Sequence, residues 1–126
     1  MGRDPHIPDA FDVVTVVVLR RPADAPAMSD TALDTLQAEH LAYRAELVRG
    51  GVLVANGPFG EQSDEAYRGM SIFACGPAEA ARLSEADPSV VAGRLVYDVM
   101  EWWVAAGTLA FPAASTPVAT RRSLPD

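Results

Sequence analysis

His40 is the side chain in this sequence with the most chemistry to offer. It lies within TLQAEHLAYRAEL, on a stripe otherwise formed by Leu33, Leu36, Tyr43 and Leu47 at intervals of three and four. A histidine on an apolar stripe is most often buried and hydrogen-bonded for structural reasons. Imidazole also takes and returns a proton near neutral pH, so the same position suits a general base. The chain has two histidines, and the other, His6, falls in a polar stretch with Pro5 and Pro8 and reads as a solvated arm residue.

Other groups could complete a pocket around His40. Arg68 opens a strand-like segment beside an acidic loop and could hold an enolate, phenolate or carboxylate. It reads first as a strand-end arginine in water or paired with Glu65, and Arg94 is treated alike. Asn56 and Gly57 could lend donors, although Asn56-Gly57-Pro58 reads first as a turn. Tyr43 shares the His40 stripe. Trp102 and Trp103 are adjacent, so they point to opposite faces of a strand, one under the helices and one toward a cavity or a partner. Asp87 precedes Pro88 and reads as a helix N-cap. Cys75 reads as a small buried hydrophobe. No serine or cysteine sits at an evident nucleophile position.

What is missing limits the chemistry. All ten basic residues are arginine, so no side-chain Schiff base can form. One cysteine and two histidines make a metal site unexpected. The glycines mark turns and helix stops rather than a phosphate loop, and flavin, nicotinamide and haem have no visible support. No cofactor and no metal are expected.

The elements that must position these groups follow from periodicity. Residues 11–20 are dense in β-branched side chains and read as a strand covered on both faces. A loop leads to Ser29 or Asp30 as N-cap and to a helix reaching about Arg49, stopped by Gly50-Gly51. Residues 52–55 form a short strand. Residues 68–75 form a third, with Met70, Ile72 and Ala74 on one face and Gly69, Ser71, Phe73 and Cys75 on the other. Gly76-Pro77 turns into a second helix from Ala78 to about Ala86, with Pro77 near its first position, residues 89–93 make one further turn closed by Gly93, and residues 94–104 form the last strand. The order β-α-β-β-α-β predicts an α+β, ferredoxin-like domain: a four-stranded antiparallel sheet with both helices on one face. The other face is apolar and would lie exposed in a monomer, so two sheets are expected to face one another in a homodimer.

The chain of 126 residues is expected to be one domain over residues 11–112, with a flexible arm at 1–10 and a disordered tail at 113–126. Its formal net charge of −7 argues against nucleic acid and anionic membrane surfaces. The longest apolar run is too short to span a bilayer, and the N-terminus lacks the apolar core of a signal peptide. A cytoplasmic location is expected.

The chain resembles the YCII-related (YciI-like) family of the dimeric α+β-barrel superfamily. The resemblance runs from Leu19-Arg20-Arg21-Pro22 through Glu39-His40-Leu41-Ala42-Tyr43, Leu47, Gly50-Gly51, Asn56-Gly57-Pro58 and Arg68-Gly69 to Glu85-Ala86-Asp87-Pro88 and Ala92-Gly93. It covers roughly residues 11–103. It implies a dimer with a cavity beside the sheet and a paired histidine and aspartate, here His40 and Asp87. In that pair one oxygen of Asp87 would cap the turn at Ser89 or Val90 while the other fixes the imidazole, as an orienting carboxylate does in a triad. Characterised relatives include small cofactor-free lyases and isomerases, among them a dehydrochlorinase acting on a chlorinated hydroxyquinol.

The reading that follows is a small cofactor-free enzyme of lyase, isomerase or cyclase type, in a biosynthetic or degradative pathway. His40 and Asp87 would be catalytic. Arg68, Tyr43, Asn56, Gly57 and Trp102 would hold a small aromatic or polyketide-like substrate, in a pocket supplied by the apolar sheet face. The competing reading is a non-catalytic dimer that binds a small ligand or acts as an accessory protein, with His40 and Asp87 as a structural pair. A third is a cavity that catalyses by shape alone.

Overall fold

In a computed structural model, residues 4–111 and 119–121 are described. The elements are β1 (Phe11–Arg20), α1 (Asp30–Arg49), β2 (Leu53–Pro58), β3 (Tyr67–Phe73), α2 (Pro77–Glu85), α3 (Pro88–Val91), β4 (Val96–Ala105) and β5 (Ala119–Arg121). The four long strands run in the order β2-β3-β1-β4, and every pairing is antiparallel. That is the arrangement expected from β-α-β-β-α-β, and the fold is α+β.

β1 is the centre of the sheet, and its alternation decides the two faces. Val17 and Leu19 meet Leu53, Phe73, Ala80 and Leu95 in the core under the helices. Val14 and Val16 meet Ile72 on the other face. Both faces of β1 are thus buried, which is why its apolar run is nearly continuous. The second face is not bare in the single chain, contrary to expectation. After β4 the chain turns at Gly107, whose φ is +83° and whose N–H donates to Asp12, and it lays Leu109 and Phe111 against that face. Met100 and Trp102 remain about two-fifths exposed there.

α1 starts where Ser29 accepts from the Ala32 N–H at 3.1 Å, and it stops at Gly51, which takes φ +82°. Asn56-Gly57-Pro58 does not turn the chain, as the sequence suggested. It continues β2, with Gly57 opposite Met70 and Pro58 opposite Gly69. β2 is an edge strand, so Pro58 can lack its N–H without breaking a ladder bond.

The close approach of β2 and β3 explains Gly69. A Cβ at that position would lie 2.8 Å from the Gly57 carbonyl oxygen and 3.4 Å from the Pro58 Cα, both backbone atoms. Gly69→Ala is therefore expected to cost about 1–3 kcal/mol by overpacking. Equilibrium urea unfolding checks this, and an alanine variant as stable as the parent would contradict it.

The arm expected at 1–10 falls partly outside the described residues, and from Asp4 onward it holds only a turn and bends before β1. Of the tail expected to lack structure, residues 113–118 and 122–126 lie outside the described residues. Ala119–Arg121 pair with Phe11–Val13 of β1. Among the described residues no helix is long and apolar enough to cross a membrane.

Candidate active site

α1 presents His40 and, one turn on, Arg44 toward the rest of the fold. Across from them the chain leaves α2 at Glu85 and meets Asp87-Pro88-Ser89. Proline is suited to the first position of a helix and Asp to the cap before it, so this tripeptide starts α3 where a longer helix would otherwise have run on. The cap points the Asp87 carboxylate back at α1.

Asp87 is 0% exposed, and its partners satisfy it unevenly. Oδ1 accepts from the Ser89 N–H at 2.9 Å and from His40 Nδ1 at 2.8 Å. Oδ2 faces Arg44 Nη1 at 3.5 Å, an ion pair without a well-formed hydrogen bond. One oxygen thus both caps and orients, whereas the sequence had suggested that the two oxygens divide these tasks. The second oxygen is engaged by a charge that sequence reading did not include.

That charge is Arg44, 4% exposed and the most buried residue of α1. Its Nη2 donates to Ser71 Oγ of β3, and its guanidinium stands 5.8 Å from the centre of the Phe73 ring. Burial pushes its pKa below the ordinary arginine value, and Asp87 opposes that shift. Arg44 was missed because the helix stripe was traced through Leu33, Leu36, His40, Tyr43 and Leu47, with no arginine expected on the buried side. Its position four residues after His40, hence on the same face, was the available signal.

His40 is 14% exposed at its side chain and lines a cavity of about 250 Å³. With Nδ1 donating to Asp87, the neutral ring carries its lone pair on Nε2, which has no hydrogen-bond partner among the described residues. The rest of the lining includes Leu19, Arg21, Gln37, Asn56, Gly57 and Arg68. The cavity lies between α1 and the sheet, not on the opposite sheet face where it was expected. α1 leans on α3 and β2 while α2 lies over β4 and β1, which leaves space beneath α1.

Five residues were expected to bind substrate. Arg68, Asn56 and Gly57 line the cavity with His40. Tyr43 does not line it. Its hydroxyl donates to the Leu83 carbonyl at 2.7 Å and ties α1 to α2, and burial raises its pKa. Trp102 does not line it either, since it stands opposite Val14 on the far face of the sheet. Arg68 donates to the Glu65 carbonyl oxygen at 3.1 Å rather than to the Glu65 carboxylate.

The sequence profile of the YCII-related domain matches residues 14–103, from within β1 to within β4. The chain belongs to the YCII-related domain family. His40 and Asp87, which the resemblance singled out as a pair, both lie inside the matched region and are in hydrogen-bond contact. No curated protein matches the chain in sequence. Among solved structures, the chain is similar to 5-chloro-2-hydroxyhydroquinone dehydrochlorinase of Burkholderia phenoliruptrix, determined with 2,5-dihydroxybenzoquinone. Identity is 20%, the TM-score is 0.52, and the match covers 71% of this chain and 92% of the other. It also matches a variant of SnoaB, a cofactor-independent oxygenase of Streptomyces nogalater, at 16% identity and a TM-score of 0.43, covering 80% and 98% of the two chains. At the first of these identities the likeness is one of fold, and it agrees with the α+β fold and its antiparallel sheet described above.

Proposed function

We propose that this YCII-related protein is a small cofactor-free enzyme that moves a proton on a hydroxylated aromatic or polyketide-like substrate, giving elimination, isomerisation or cyclisation. His40 is the base. Asp87 holds its Nδ1–H and leaves Nε2 for the substrate. The observation that carries this reading is the 2.8 Å contact between His40 and a fully buried Asp87 at the wall of a cavity. A single ring fits about 250 Å³. The dehydrochlorinase of like fold was determined with such a ring, and that supports the choice of substrate class. Arg68, Asn56 and Gly57 border the bound substrate. The enzyme works in the cytoplasm, where a lone thiol such as Cys75 stays reduced.

The test is proton exchange. Incubated in D2O with a panel of polyhydroxylated benzenes and 1,3-dicarbonyl compounds, the protein should accelerate exchange at the acidic carbon of at least one, followed by NMR. His40→Ala should remove the acceleration. Equal acceleration by that variant would sink the reading.

The buried Arg44–Asp87 pair favours a second reading, in which the network is structural and the cavity only binds a ligand. In that case the variant changes stability and leaves no exchange to lose. For the assembly, we propose a homodimer through the partly covered sheet face opposite the helices, where Met100 and Trp102 are still accessible. Sedimentation equilibrium should report a dimer that Trp102→Glu converts to a folded monomer, and a monomeric parent protein would overturn the assignment.

A further inference from the structure

The cavity has a charge pattern that general-base chemistry does not require. Its lining contains three arginines, Arg21, Arg44 and Arg68, and no aspartate or glutamate, in a chain whose formal net charge is −7. Arg44 is already matched by Asp87. Arg21 and Arg68 are not: among the described residues neither forms an ion pair with a carboxylate, and Arg68 meets Glu65 only through its backbone carbonyl oxygen. They also crowd each other. The pKa of Arg21 is lowered, first by burial and then by the charges of Arg94 and Arg68. Arg94 donates to the Pro26 carbonyl and does not line the cavity.

The backbone brings the two together. Leu19 pairs with Gly69, but Arg20 pairs with Tyr67, so Arg68 is the extra residue of a bulge at the end of the β1–β3 ladder. A bulge breaks the alternation of a strand and re-aims the side chain it carries. Arg21 is fixed beside it by the bond from its own N–H to the Ala66 carbonyl at 2.8 Å. Like charges gathered at a cavity mouth without a counter-charge raise the local concentration of anions.

We propose that Arg21 and Arg68 form an anion-recognition subsite, so that the substrate is an organic anion, a carboxylate or acidic phenolate carried on its ring. This inference rests on the proposed function only in placing the acidic carbon or hydroxyl of that substrate at His40. The guanidiniums take the charge, and the ring lies along Leu19, Leu95 and the stem of Met70.

Matched probes test the subsite without turnover. Calorimetric titration should find salicylate bound at least about tenfold more tightly than the neutral, near-isosteric salicylamide, with a preference that shrinks as salt rises. 4-Nitrophenol titrated above and below its own ionisation separates a phenolate from a carboxylate preference. Arg21→Gln with Arg68→Gln should erase the preference, weakening salicylate far more than salicylamide, while His40→Ala should keep it. Equal binding of each charged and neutral form, no binding of any anionic probe at millimolar concentration, or a preference that survives the double variant overturns the proposal. An intact anion preference with exchange activity that survives His40→Ala would sink the proton-transfer reading and leave the subsite standing.

Discussion

Asp87→Ala is expected to lower the free energy of unfolding by about 3–5 kcal/mol. Asp87 is fully buried, and three groups converge on it: the Ser89 N–H, His40 Nδ1 and the Arg44 guanidinium. Removing the carboxylate leaves Arg44 buried with a positive charge and only Ser71 Oγ as a hydrogen-bond partner. Leaving one member of a buried pair uncompensated costs far more than the intact pair contributes. The lost cap of α3 adds about 1 kcal/mol. Asp87→Asn keeps the shape and the cap, so it should lose less. Arg44→Leu combined with Asp87→Asn should recover part of the loss of the asparagine variant combined with an intact arginine, because the stranded charge is gone. Urea unfolding with an unchanged m-value reads these differences. A loss for Asp87→Ala below about 1 kcal/mol, the usual size of a lone cap, would show that Arg44 relaxes into water and that the network is not a structural anchor.

His40→Ala should reduce catalysed proton exchange by about 10²–10⁴-fold, the usual contribution of a positioned general base. Its effect on stability should be small by comparison, about 1 kcal/mol for one hydrogen bond, since Asp87 keeps Ser89 and Arg44. That contrast separates chemistry from structure. Asp87→Asn should also depress exchange: with the amide oxygen kept on the Ser89 N–H and His40 Nδ1, the neutral side chain no longer stabilises the imidazolium that forms as His40 takes a proton. The decisive measurement is exchange rate against folded fraction for the same samples. A His40→Ala protein that loses rate only in proportion to unfolded material would have no base to lose.

Much of the frame was legible in the sequence because it is local. The period of β1, the three-and-four spacing of α1, the Gly50-Gly51 stop and the Pro77 and Pro88 starts each describe one element's own preferences. Their order leaves few ways to pair four strands. His40 stood out as a polar group on a helix stripe, and the family resemblance added Asp87.

The rest depended on distant contacts. Asn56-Gly57-Pro58 carries strong turn residues, yet it lies in β2 because an edge strand beside Gly69 tolerates both the proline and the close approach. Arg44 took no part in the sequence reading, and α3 puts Asp87 over it. Leu109 and Phe111 gave no periodic signal, but they cover a sheet face. Arg68 needed the register break against β1 to be seen as a bulge, and Arg21 needed Arg68 beside it. By itself the sequence determined the long elements and their order, and it singled out His40 as a candidate for proton transfer, since each rests on short-range spacing. Only the tertiary structure decided that His40 meets a buried carboxylate, that the cavity lies under α1, and that two unmatched arginines share it. Those facts are set by register and by the lean of one element on another, and no single segment encodes them.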